Sequence, residues 1–158
     1  MNTPMLIATH LALPTGDEGL KIKGTATVPT SPAIDPVTNG LRVIVTDAIG
    51  VQVLDVTIPG GASWTGGSSG FSYKGPKTGA IGRIKIKTNA AAPGFLKIGI
   101  KGKGMTLSTA TATLPLRTTV VIDTPFATTG QCADGDFPGP PPIASCATAG
   151  KGSTIVCK

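Results

Sequence analysis

Residues 79–104 read Gly-Ala-Ile-Gly-Arg-Ile-Lys-Ile-Lys-Thr-Asn-Ala-Ala-Ala-Pro-Gly-Phe-Leu-Lys-Ile-Gly-Ile-Lys-Gly-Lys-Gly, and this stretch decides the fold class. Ile84 and Ile86 alternate with Arg83, Lys85 and Lys87. Beyond the Pro93-Gly94 turn, Leu96, Ile98 and Ile100 alternate with Lys97, Gly99 and Lys101. A period of two in β-branched residues, bounded by turn formers, predicts a half-buried antiparallel hairpin. One face of it feeds a core and the other carries a ladder of cations.

The same reading extends outward in both directions. Met5 to Leu13 is an apolar run ended by Pro14-Thr15-Gly16-Asp17. It predicts a first strand, with His10, the sole histidine, as a structural residue in it. Such a strand pairs within its own domain or is exchanged with a neighbouring copy, because terminal strands swap at low cost. From Leu20 to Val28, Leu20, Ile22 and Gly24 oppose Lys21, Lys23 and Thr25. Pro29, Pro32 and Pro36 make residues 29–40 a long loop that excludes helix and central strand. Leu41, Val43 and Val45 form the next strand. In Val51 to Ile58 the alternation slips by one, which predicts a β-bulge near Val53-Leu54.

Trp64 sits in a Gly/Ser-rich loop over residues 62–70, followed by a short strand from Phe71 to Lys74. Met105 to Leu114 carries Leu107 and small alternating residues, and Arg117 to Asp123 is a further strand. No segment shows a 3.6-residue period. The sum is an all-β chain, an antiparallel β-sandwich of about eight to ten strands, Ig-like or jelly-roll-like. Residues 1–128 form the sandwich, and residues 129–158 form a Pro- and Cys-rich tail packed on it or extending from it. Within that tail Phe137 to Pro142 is a stiff polyproline-like spacer. Lys151-Gly152 then reads as a two-residue turn whose register sets Ala149 opposite Thr154 and Cys146 opposite Cys157.

Composition agrees with these elements. A chain of 158 residues forms one domain with room for a core. With 22 Gly, 14 Pro and 14% charged residues it favours turns and short strands over long helices. The hydrophobic share of 40% argues against global disorder, and the 4% of aromatics makes the core aliphatic. The net charge of +6 admits anionic partners such as nucleic acid, an acidic polysaccharide or a membrane surface. The plainer account is that lysines on solvent-facing positions keep a sheet soluble and its edges unsociable. Nucleic acid is disfavoured, since no aromatics interleave with the lysines and no reader motif is present. No stretch approaches the ~20 apolar residues of a membrane span. The opening Met1-Asn2-Thr3-Pro4-Met5 lacks the basic and apolar regions of a signal peptide. The chain is then either cytosolic or a mature fragment with a new start Met, and its cysteines and Thr/Gly/Pro content favour the second.

All three cysteines, Cys132, Cys146 and Cys157, lie beyond residue 131. There is no CxxC spacing and only one His, which speaks against zinc. A disulfide in an oxidising compartment is the better reading. The hairpin register favours Cys146–Cys157, with Cys132 bonded to either as the rival. Catalytic constellations are missing. A Ser–His–Asp triad needs His10 and a Gly-x-Ser-x-Gly elbow, which Gly67-Ser68-Ser69-Gly70 resembles only superficially. Glycosidase chemistry needs two facing carboxylates, and Glu18 is the sole Glu. Asp17, Asp35, Asp47, Asp55 and Asp123 fall at strand ends or in loops, and Asp134-Gly135-Asp136 reads as a turn rather than a calcium site. No cofactor is implied. The binding candidates are the cations Arg83, Lys85, Lys87, Lys97 and Lys101, with Trp64 and Tyr73. The two aromatics form either a sugar-stacking platform or a plug at one end of the core.

Several runs resemble a β-rich domain of predicted secreted proteins from soil and myxobacteria-like bacteria: Leu-Lys-Ile-Lys-Gly (20–24), Val-Thr-Ile-Pro-Gly-Gly (56–61), Gly-Phe-Ser-Tyr-Lys (70–74), Ile-Lys-Ile-Lys (84–87), Lys-Ile-Gly-Ile-Lys-Gly-Lys-Gly (97–104) and Leu-Pro-Leu (114–116). Gly-Gln-Cys (130–132), Phe-Pro-Gly-Pro-Pro-Pro (137–142) and the final Cys157-Lys158 look similar to those proteins too. The resemblance spans most of the chain from Leu20 onward and implies export and a β-rich architecture, not an activity. The expected function is a non-enzymatic extracellular or cell-surface module for structure, adhesion or assembly, polymerising through Met5–Leu13. The alternative is a carbohydrate-binding module for anionic glycans, and a hydrolase with an unrecognised Asp site ranks third.

Overall fold

A computed structural model describes residues 1–12, 14–109, 112–124, 126–139 and 142–158. Its strands are β1 (Asn2–Thr9), β2 (Glu18–Thr27), β3 (Leu41–Thr46), β4 (Gln52–Ile58), β5 (Trp64–Gly67), β6 (Gly70–Lys74), β7 (Ala80–Thr88), β8 (Phe95–Met105), β9 (Arg117–Val121), β10 (Cys132–Gly135), β11 (Cys146–Ala149) and β12 (Thr154–Cys157), with one short helix, α1 (Pro36–Asn39). They form two antiparallel sheets packed together, an all-β sandwich. The larger sheet has the order β11-β12-β1-β2-β8-β7-β6-β5 and the smaller β10-β9-β3-β4.

The β7–β8 hairpin forms as its alternation dictates. Ile84 faces Ile100 and Ile86 faces Ile98, all at or below 2% exposure, while Lys85, Lys87, Lys97 and Lys101 are exposed. Sinking each isoleucine contributes about 1.5–3 kcal/mol, which commits the lysines to the opposite face. Hydrogen bonding of β8 to β2 sets Ile22 beside Ile100 and continues the same apolar row. Leu41, Val43, Val45 and Val120 close the core from the smaller sheet. Opposite Val45 and Thr46, β4 contributes Leu54 and Gln52, so Val53 is the extra residue of the bulge expected there.

Several elements differ from the sequence reading. The first strand runs Asn2–Thr9 rather than from Met5, because β2 supplies a ladder partner as far back as Asn2; Leu13 lies outside the described residues. His10 lies beyond the strand, exposed and at a φ of 58°. The loop 29–40 contains α1: Pro36 takes the first helical turn, where no amide hydrogen is needed, and the Asp35 carboxylate accepts from the amides of Val37 (3.0 Å) and Thr38 (3.1 Å). Trp64 opens a strand rather than lying in a loop. After Met105 no strand is found among the described residues up to Pro115; Ala110 and Thr111 are outside them.

Residues 129–158 are woven into both sheets. β10 pairs with β9, and β12 lies between β11 and β1. Phe137, at 1% exposure, anchors the Pro-rich spacer in the core, and Pro140 and Pro141 fall outside the described residues. The turn spans residues 150–153 rather than two residues: Gly150, Lys151 and Gly152 all have positive φ (59°, 54° and 86°), and the ladder resumes at Ala149 opposite Thr154, so the register is the one expected. Its register places Cys146 opposite Cys157, and these two form the disulfide; Cys132 is the free cysteine.

Candidate functional site

The outer face of the larger sheet gathers cations from four strands. Lys74, Arg83, Lys101 and Lys21 stand in one cross-strand row over β6, β7, β8 and β2. The next row is Lys85, Gly99 and Lys23, and beyond it Lys87 faces Lys97. Lys103 extends the face past Lys101. Strand geometry spaces these positions by about 4.8 Å across the sheet and about 6.8 Å along a strand.

Directly opposed like charges destabilise a sheet. No ion pair among the described residues relieves them: those within 4.0 Å are Arg42–Asp55 and Arg117–Asp136, both on the smaller sheet's side of the molecule. Asp17 lies at the rim of the face without such a pair, and Glu18 is buried, accepting from the amide of Gly16 at 2.7 Å. The cations are also in the wrong strands for edge protection. The edge strands are β5 (Trp-Thr-Gly-Gly) and β11 (Cys-Ala-Thr-Ala), which are uncharged, while the lysines concentrate on the central β2, β8 and β7.

Several depressions mark the face, and two of them meet at Gly99. One, of about 720 Å³, runs over Lys23, Lys85, Lys87 and Lys97 and is walled by Met5, Pro142, Ala144 and Lys158. The other, of about 250 Å³, lies over Gly99 between Lys21, Lys23, Arg83, Lys85 and Lys101. Toward β1 and β12 the outer face turns apolar, where Met5 neighbours Lys23 and Ile7 neighbours Lys21 and Val156.

The structure therefore brings together Arg83, Lys85, Lys87, Lys97 and Lys101 as the alternation implied, and adds Lys21, Lys23, Lys74 and Lys103. It does not bring Trp64 and Tyr73 to them. Tyr73 pairs with Ile84, and Trp64 with Tyr73, which sets the aromatic pair on the inner face. Trp64 is 5% exposed, its Nε1 donates to the carbonyl of Pro59 at 3.0 Å, and its ring centroid lies 5.2 Å from that of Tyr73. The indole plugs the end of the core, the second of the two readings the sequence left open, while Tyr73 is half-buried beside it.

The carboxylates elsewhere do structural work. Asp47 accepts from the amides of Thr113 (3.0 Å), Val51 (2.7 Å) and Ile49 (3.0 Å), and these bonds, Thr113 foremost, hold its pKa below the usual carboxylate range. Arg42 does the same for Asp55 through an Nε–Oδ1 bond of 2.8 Å. Asp134 is not in a turn: it lies in β10 and accepts from the Thr119 hydroxyl at 2.6 Å. Burial, then Asp134, raises the Cys132 thiol above its ordinary value and leaves it a poor nucleophile. Among the described residues no cluster of three or more His, Cys, Asp or Glu residues is placed to hold a metal ion, and no helix is long and apolar enough to cross a membrane.

No family model, no curated protein and no solved structure matches this chain.

Proposed function

We propose that this chain is a non-enzymatic, extracellular or cell-surface adhesion module that binds anionic polysaccharide through the outer face of its larger sheet. One observation carries the reading. Nine cations (Lys21, Lys23, Lys74, Arg83, Lys85, Lys87, Lys97, Lys101 and Lys103) share a face on which like charges are directly opposed and, among the described residues, no carboxylate pairs with them. An extended polyanion laid across the strands supplies the missing counter-charge and releases its own condensed ions, a large favourable term that weakens with salt. Among the described residues, the paired positions of this face carry no aromatic side chain on which bases would stack, so a polysaccharide fits better than a nucleic acid. The Cys146–Cys157 bond and the resemblance to exported bacterial domains support an oxidising, extracellular setting.

Assembly through residues 5–13 has less support. β1 is hydrogen-bonded on both sides within its own chain, and exchange requires both ladders to open and re-form. Light scattering on the full chain is expected to give a monomer.

The test is retention on immobilised sulfated dextran in rising salt. The wild-type chain is held at low salt, the triple variant K85Q/K97Q/K101Q elutes early, and R42Q/R117Q on the smaller sheet elutes with the wild type. Loss of retention in R42Q/R117Q, or none in the lysine triple, overturns the reading.

A further inference from the structure

Gly99 lies in the middle of β8 with Lys97 and Lys101 two positions away along the strand, Lys23 and Lys85 across it, and Lys21 and Arg83 on the diagonals. Nothing within the chain requires a glycine there. Its φ is not in the left-handed region, and a Cβ built on it meets nothing nearer than the Lys85 carbonyl oxygen at 4.0 Å. Each of the other glycines of β2, β7 and β8 has a neighbour close above it or a left-handed φ. A Cβ at Gly19 would collide with Thr9 Oγ1 (2.6 Å), at Gly24 with Met1 Sδ (2.8 Å), at Gly82 with the Pro76 carbonyl oxygen (2.6 Å) and at Gly102 with Met105 Sδ, while Gly104 has a φ of 62°. A glycine inside a strand weakens it, and where no internal contact explains the residue, close approach of a ligand is the standing alternative.

We propose that Gly99 is the floor of a cup that seats a terminal tetrahedral oxyanion, a sulfate or phosphate ester borne by the polysaccharide, in preference to a carboxylate. This rests on the polyanion reading above and names the anionic group. The cup holds about 250 Å³, room for one charged substituent, and it opens into the depression of about 720 Å³ that Gly99 also lines, where the sugar chain bearing that substituent can lie. A tetrahedral ester entering end-on presents three oxygens around its axis to the ammonium groups of Lys21, Lys23, Lys85 and Lys101 and to the Arg83 guanidinium. A planar carboxylate offers two oxygens in one plane, which the fork of Arg83 alone can take up, leaving the surrounding lysines without an acceptor.

The experiment compares three dextrans of equal charge density: sulfated, phosphorylated and carboxymethylated. Wild type is expected to bind the two tetrahedral esters about tenfold tighter than the carboxylate, the worth of one additional charge-assisted hydrogen bond. G99V fills the cup and keeps every cation, so it is expected to bind all three alike, at the wild-type level for carboxymethyl dextran. Its Tm is expected to rise, because a β-branched residue replaces a mid-strand glycine facing open space; should G99V fail to fold, G99A supplies the same comparison. Equal wild-type affinity for all three polymers, or a preference that survives in both variants, overturns the cup while leaving the polyanion reading intact. Binding to none of the three overturns both. Anionic lipid vesicles that displace the sulfated dextran more effectively than free sulfated dextran does assign the cup to a membrane and overturn the proposal.

Discussion

The outer faces of the two sheets handle charge in opposite ways. On the smaller sheet's side, charges of both signs meet: Arg42 bonds to Asp55, Arg117 approaches Asp136 at 3.7 Å, and Asp134 takes a hydroxyl donor. On the larger sheet nine cations stand together without such partners. The chain has 14 basic and 8 acidic residues. Removing the nine leaves five basic residues against the eight acids, so the rest of the molecule is net acidic. A net charge of +6 thus understates the segregation. Charge kept for solubility has no reason to sit on one face, or on central strands in place of edges. Charge kept for an extended anionic partner has both.

The largest expected effect contrasts two neighbours on one strand. Ile100→Ala leaves a cavity at a site with 0% exposure and is expected to cost about 2–5 kcal/mol in urea unfolding. Lys101→Ala, one residue on and facing out, is expected to cost nothing or to stabilise slightly. Equal losses would contradict the assignment of faces. The disulfide comes next. Replacing Cys146 and Cys157 with Ser opens a loop of sequence separation 11, an expected loss of about 3 kcal/mol. Polyanion affinity is expected to survive, because the crowded rows on β2, β7 and β8 lie outside that hairpin.

A smaller effect of opposite sign sharpens the contrast. Lys101→Glu places a carboxylate between Lys21 and Arg83, turning two repulsive neighbours into attractive ones. Stability is expected to rise by roughly 0.2–1 kcal/mol per pair while polyanion binding falls. The smallest effects separate the faces by solvent. Going from ~10 mM to ~150 mM salt shortens the screening length from about 30 Å to about 8 Å, so the wild type is expected to gain stability where Lys101→Glu does not. Asp35, Asp47 and Asp55 all have pKa values lowered on folding. Their contribution is present above the ordinary carboxylate pKa near 3.9 and is lost as pH falls through the lower folded values, so stability is expected to be flat near neutrality and to drop below about pH 4. Asp55→Asn is expected to shallow that acid limb.

Much of this was legible in the chain wherever neighbours are close in sequence. The β7–β8 hairpin, the Val53 bulge and the facing of Cys146 and Cys157 follow from period two and from turn chemistry, both local. The composition of the cation face was half legible. Lys21 and Lys23 alternate as cleanly as Lys85 and Lys87, but only the non-local pairing of β2 with β8 sets them on one surface. Whether Trp64 and Tyr73 plug the core or face outward was open for the same reason, since only the pairing of β5, β6 and β7 sets which face Trp64 takes. The openness above Gly99 carries no sequence signal at all. It is the absence of neighbours, and it appears only after Met1, Thr9 and Met105 are seen crowding the other glycines.

The most direct measurement is a backbone and lysine side-chain NMR titration of the wild-type chain with short sulfated dextran. Shifts are expected to concentrate on Lys21, Lys23, Arg83, Lys85, Lys97, Gly99 and Lys101, with Arg42, Asp55 and Arg117 unmoved. Perturbations centred on the smaller sheet, or spread evenly over both, contradict a binding face built by alternation on β2, β8 and β7.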